Sequence, residues 1–200
     1  MANLARRKLF ALPALARLDD QQVTAREKIR QRHFPDVVLY THEGKRVRFY
    51  EDLIKGRIVT INVMYATCKG VCPGITANLV KVQKLLGNRV GREVFMYSLT
   101  LEPEHDTPRV LKDYMKMHRV GPGWTYLTGK PEDVELLRQK LGFTNPNPQV
   151  DKDTSQHIGN LRYGNEPLML WAACPGLVNP NWIYQSLSWV IQPQQSRNRS

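Results

Sequence analysis

Cysteine is scarce in this chain of 200 residues, which has only Cys68, Cys72 and Cys174. So low and odd a count excludes a dense disulfide scaffold, and it leaves one thiol over if two act together. Cys174 is that remainder. Long apolar runs are also missing, and no stretch approaches the roughly 20 residues that a membrane-crossing helix needs. Beyond the N-terminus there is no Lys/Arg block with interleaved aromatics, so the net charge of +11 does not signal nucleic-acid binding. Internal repeats are absent. What is left, 42% hydrophobic and 24% charged, is the composition of one ordinary globular domain with a core of normal size.

Acids are missing from the first eighteen residues, which hold Arg6, Arg7, Lys8 and Arg17. A basic start, the apolar stretch Leu9 to Ala16 broken only by Pro13, and a charged exit resemble an export signal. Arg6-Arg7 ahead of Leu9-Phe10 is similar to a twin-arginine signal. Residues 1–33 therefore read as an export-signal-like or linker segment, implying a protein that works exported, periplasmic or membrane-associated. Residues 191–200, rich in Gln, Ser and Arg, read as a disordered tail.

Between these ends the chain is organised around Ile58 to Leu86. Ile58, Val59, Ile61 and Val63 form a β-branched run of strand length, whereas Ile75, Leu79, Val82 and Leu86 recur at helical spacing. The period switches across Cys68 and Cys72. Pro73 suits a first helical turn, where a missing N–H costs nothing, so both thiols sit at a helix N-terminus. There the helix dipole and unpaired amides favour thiolate, and a four-residue separation brings the two side chains onto one face. Such a pair can share a metal ion or close a disulfide.

Ahead of this stretch, Val37 to Tyr40 and Val47 to Phe49 predict a hairpin whose turn contains Gly44 at positive φ. A helical turn follows from Phe49 to Ile54. Behind it, Val94 to Leu101 is a second strand, Asp106 or Thr107 can cap a helix started by Pro108, and Val110, Leu111, Tyr114 and Met115 give that helix a buried face. Trp124 to Leu127 and Pro131 to Leu141 repeat the strand–helix order. The late region predicts a polar loop from Gly142 to Asp153, strands at His157 to Leu161 and Leu168 to Ala173 around a turn at Gly164-Asn165, and a closing helix from Trp182 to Val190. Three successive strand–helix units argue an α/β fold whose core strands are parallel and covered by helices.

This order, with paired cysteines after the first buried strand, is similar to a thioredoxin-like fold: a central mixed sheet covered by helices, with an N-terminal hairpin and a late insertion. Within that class, residues 34–190 resemble the SCO/SenC copper chaperones of cytochrome c oxidase assembly. The likeness is carried by the Cys68 to Gly74 loop, CKGVCPG, by SLTLEPEHDTPRVLKDY after the second strand, and by the histidine of SQHIGNLRYGN. It implies copper, Cu(I) or Cu(II), held by Cys68, Cys72 and His157, and delivery to a cuproprotein such as an oxidase copper-centre subunit, while the basic charge of the chain suits an acidic docking face on that partner. Two thiolates and an imidazole are soft donors that suit copper. Asp151 and Asp153 are the nearest acids that could add an oxygen. His33, His42, His105 and His118 read as solvated side chains.

Two functions compete. One is a metallochaperone; the other is a thiol–disulfide oxidoreductase in which Cys68 attacks and Cys72 resolves.

Overall fold

The structure is a computed structural model and describes residues 25–151 and 159–191. The predicted export segment before residue 25, His157, Asp153 and the tail beyond Ile191 lie outside the described residues. The chain divides into two units, one ending at His33 and the other starting at Phe34. A helix over 25–33 (α1) is the described part of the first.

The second unit is built on a seven-stranded sheet. Its strands are β1 (Val38–Thr41), β2 (Arg46–Arg48), β3 (Ile58–Met64), β4 (Val94–Thr100), β5 (Trp124–Gly129), β6 (Asn160–Asn165) and β7 (Leu170–Pro175), in the order β2-β1-β5-β4-β3-β6-β7. The middle of the sheet, β5-β4-β3, is parallel, and every other pairing is antiparallel. This is the thioredoxin-like mixed sheet that the order of elements predicts. Helices α2 (Val71–Leu86), α3 (Pro108–Met117), α4 (Pro131–Lys140), a short α5 (Pro148–Asp151) and α6 (Pro180–Ile191) complete the unit. Residues Phe49–Ile54 form a π-type turn, and Gly44 has the positive φ its turn requires.

Both faces of the sheet are covered, so β3 is buried along nearly its whole length. Val59, Ile61 and Val63 face one core with the π-type turn and α4. Met64 and the side chains of α2, α3 and α6 fill the other, which includes Cys68 and Cys72. Within that second core, Trp124 Nε1 donates to Ser98 Oγ at 2.9 Å and Ser98 Oγ donates to Asn62 Oδ1 at 2.8 Å, so the polar atoms of three neighbouring strands satisfy one another.

Three expectations need correcting. Val110 lies exposed on α3, because Leu111, Tyr114 and Met115 already supply the buried stripe. The segment read as a polar loop contains α5, held by a two-pronged ion pair from Arg138 to Asp151 at 2.7 and 2.8 Å. The two late strands start about three and two residues later than predicted, and Gly164-Asn165 lies within β6 instead of in a turn. A Cβ at Gly164 would come within 2.3 Å of the Trp171 ring, so this glycine admits the indole. The turn itself places Met169 at φ +54.

Candidate metal and thiol site

The cysteine loop leaves the C-terminal end of β3 and enters α2, whose first turn contains Cys72 and Pro73 and no acid. Neither cysteine is in a disulfide, and both are buried, Cys68 at 7% exposure and Cys72 at 1%. Each sulfur is among the groups that shift the other's titration. Burial alone would push the Cys68 thiol up. The hydrogen bonds its sulfur accepts from the Cys72 thiol, the backbone N–H groups of Cys72 and Gly70, and the Tyr65 hydroxyl outweigh that and hold it below the ordinary value. Burial pushes Cys72 well up, reinforced by its bond to Cys68, and the Tyr65 phenol is raised by the same combination. The two shifts run in opposite directions: the bonds to its sulfur favour the thiolate of Cys68, and burial favours the neutral thiol of Cys72.

The loop is pinned by a residue that sequence reading assigns elsewhere. Asp106, fully buried, accepts from Ala66 N at 3.0 Å and from the Thr100 hydroxyl at 2.5 Å through Oδ2. Thr107 takes the helix cap, accepting from Val110 N at 3.4 Å. The other oxygen of Asp106, Oδ1, is buried without a hydrogen-bond partner among the described residues. Next to it, Thr67 Oγ1 donates to Glu102 Oε2 at 3.3 Å, tying the rim of the loop to the segment after β4. On the far side Tyr114, whose hydroxyl bonds Thr76 at 3.0 Å, is raised to about 12 by burial, with Cys72, Cys68 and Asp106 adding to the shift. Asp106, Tyr65 and Tyr114 are the site's neighbours that the sequence did not disclose.

Other candidates fall away. Asp151 is committed to Arg138 and to Asn145 N, so its oxygens are already engaged. His105 is exposed, and no group of three or more His, Cys, Asp or Glu side chains suited to a metal occurs among the described residues. His42 is half-buried instead of solvated: its Nδ1 accepts from Tyr126 N at 3.2 Å, and burial lowers its pKa. His118 stacks its ring on Tyr114 at 4.1 Å, and burial lowers it too. Cys174 is half-buried on the same core, and burial lifts its thiol to about 11.

The donor set is therefore two sulfurs on one face, shielded from water and oriented by backbone amides. Such a set can bind a soft cation between two thiolates, or close a disulfide after oxidation. No helix among the described residues is long and apolar enough to cross a membrane.

Comparison with known proteins agrees with this chemistry. The family model described as SCO1/SenC matches residues 25–162. A protein of Stutzerimonas stutzeri named for copper binding is 27% identical over 134 residues, which cover 66% of this chain and 64% of that one. The chain thus spans slightly less than two thirds of that relative's length. Among solved structures, ScoI of Bradyrhizobium japonicum with copper bound is 21% identical with a TM-score of 0.62, covering 76% of this chain and 96% of that one. A SCO1/SenC family lipoprotein of Bacillus anthracis is 20% identical, also with a TM-score of 0.62, covering 77% and 92%. At these identities the structural likeness establishes the fold.

Proposed function

The chain belongs to the SCO1/SenC family, and from that premise we propose that it is a copper metallochaperone. Cys68 and Cys72 hold one copper ion as cargo, and His157 adds an imidazole for the cupric state. The observation that carries this reading is the pair of buried sulfurs, Cys68 at 7% and Cys72 at 1% exposure, where the loop after β3 enters α2. Thiolates favour Cu(I), and metal displaces the remaining proton from Cys72.

Chain connectivity supports His157. Two residues after it comes Gly159, where a Cβ would meet Ile75 Cδ1 at 2.9 Å and Val71 Cγ2 at 3.8 Å, in the first turns of α2. Two residues span at most about 7 Å. The receiver is a cuproprotein, with the copper centre of cytochrome c oxidase as the one implied by family, and the basic charge of the chain suits an acidic docking face. The lipoprotein among its structural neighbours and the segment before residue 34 support work outside the cytoplasm.

The same pair also favours a second reading, thiol–disulfide exchange, because the bonds to Cys68 hold its thiol below the ordinary value. Cys68 thiolate attacks a target disulfide and releases one target thiolate. Cys72, losing its proton, then attacks the mixed disulfide, closes the Cys68–Cys72 bond and releases the second thiolate, so two electrons pass to the target.

Copper titration against a competing chelator tests the first reading. One Cu(I) per chain is expected for the reduced parent and for Cys174→Ala, with tight binding lost in Cys68→Ala and in Cys72→Ala. His157→Ala should lose Cu(II) and its sulfur-to-copper absorption while keeping Cu(I) and disulfide reductase activity. Full Cu(I) affinity in either variant of the cysteine pair would sink the proposal.

A further inference from the structure

The sheet has two edges, and they differ in chemistry. At one end β2 is Arg46-Val47-Arg48, charged and short, which is how native proteins prevent edge-to-edge pairing. At the other end β7 pairs only with β6, and among the described residues no strand pairs with its outer edge. Its residues Leu170 to Cys174 carry no charge, its register with β6 is unbroken by a bulge, and the single proline stands last.

Beside this edge, α6 exposes Trp182 at 69% and Trp189 at 71%, two helical turns apart and therefore on one face. Along them runs a groove of about 390 Å³ whose walls include Tyr163, Ala172, Gln185 and Ser186. Leu168 and Leu170 are exposed nearby. Although the chain carries a net charge of +11, no charged residue or histidine occurs between Glu166 and Arg197. Nearly all of this region lies past residue 162, where the family match ends.

We propose that β7 and α6 form the interface of a two-fold homodimer. The β7 strands of the two copies pair antiparallel, and the exposed indoles of each chain enter the groove of the other. A two-fold contact brings one patch against itself, so knob and groove must occur together on the same face, as they do here. The lack of charge makes this the face on which two basic chains meet without like charges opposed across the contact. A lipid surface could accept the indoles, but it would leave the edge N–H and C=O groups of β7 unpaired, whereas a second strand satisfies them. The two indoles supply roughly 300 Å² of the about 800 Å² per partner that a stable interface buries. The strand edge and the two leucines contribute further area.

Sedimentation equilibrium of the full reduced chain at micromolar concentrations tests the proposal. The parent should have twice the chain mass. Trp182→Ser with Trp189→Ser, and separately Ala172→Lys, should have the single mass while keeping the parent's circular dichroism and copper stoichiometry. Amide exchange on the unaltered parent gives a second readout: β7 amides should be protected at high concentration and lose protection on dilution. A parent that stays monomeric with concentration-independent β7 exchange, or a dimer that both variants leave intact, overturns the proposal. So does a monomer that binds phosphatidylglycerol vesicles through the same tryptophans, which would assign the face to a lipid surface.

Discussion

Asp106 lies six residues from one of its partners and forty from the other, yet it decides where the cysteine loop begins. Replacing it with alanine takes the acceptor from the part-buried Ala66 N and from the buried Thr100 hydroxyl, at a cost of about 1–3 kcal/mol for the buried group. Urea unfolding of Asp106→Ala should show a loss in that range, and Cu(I) affinity should fall although both sulfurs remain. Asp106→Asn, which retains an acceptor oxygen, should recover most of the stability. In one dimension Asp106-Thr107-Pro108 offers two equivalent caps, and the pattern alone does not say which side chain turns inward. The cysteine pair was legible because its signal is local: two thiols, a proline and a change of period within a few residues. What shifts its thiols, burial in the core and the bonds from Tyr65 and from the amides of Gly70 and Cys72, depends on how the loop folds back.

The same division between local and distant causes holds for the elements. β3 and α2 can be read from periodicity, whereas the β6–β7 pair was displaced because a turn glycine and a glycine admitting a ring look identical in sequence. Gly164→Ala should therefore cost about 1–3 kcal/mol through overpacking against Trp171, measured by thermal melting, even though alanine ordinarily suits a strand better than glycine. The short helix α5 was equally hidden, since its anchor is the distant Arg138. That anchor gives a pH dependence. Hydrogen bonds from Arg138, then from Asn145 N, hold the Asp151 carboxyl at about 2, below its ordinary 3.8. The folded group is thus deprotonated where the unfolded one takes up a proton, so its stabilisation is complete above 3.8 and is lost as pH falls toward 2. Urea midpoints compared at pH 5 and pH 3 should fall further for the parent than for Asp151→Asn.

For the whole molecule, the decisive feature is that Cys68 and Cys72 belong to the larger of the two cores, together with Met64, Ile75, Leu79 and Tyr114. A cation bridging these sulfurs, held in the geometry of the folded core, is bound more tightly by the folded than by the unfolded chain, so occupancy adds to stability by mass action. At free Cu(I) about one hundred times the dissociation constant the gain is about 2.7 kcal/mol, or roughly 5–10 °C in Tm for a chain of this size. Scanning calorimetry of the loaded and empty protein should show that rise, and Cys72→Ala should abolish it. Within a cell the empty form opens more often, and proteases act on the opened chain. The lifetime of this protein would then follow copper supply: in scarcity the chain is cleared faster, and in abundance it accumulates without any change in its synthesis.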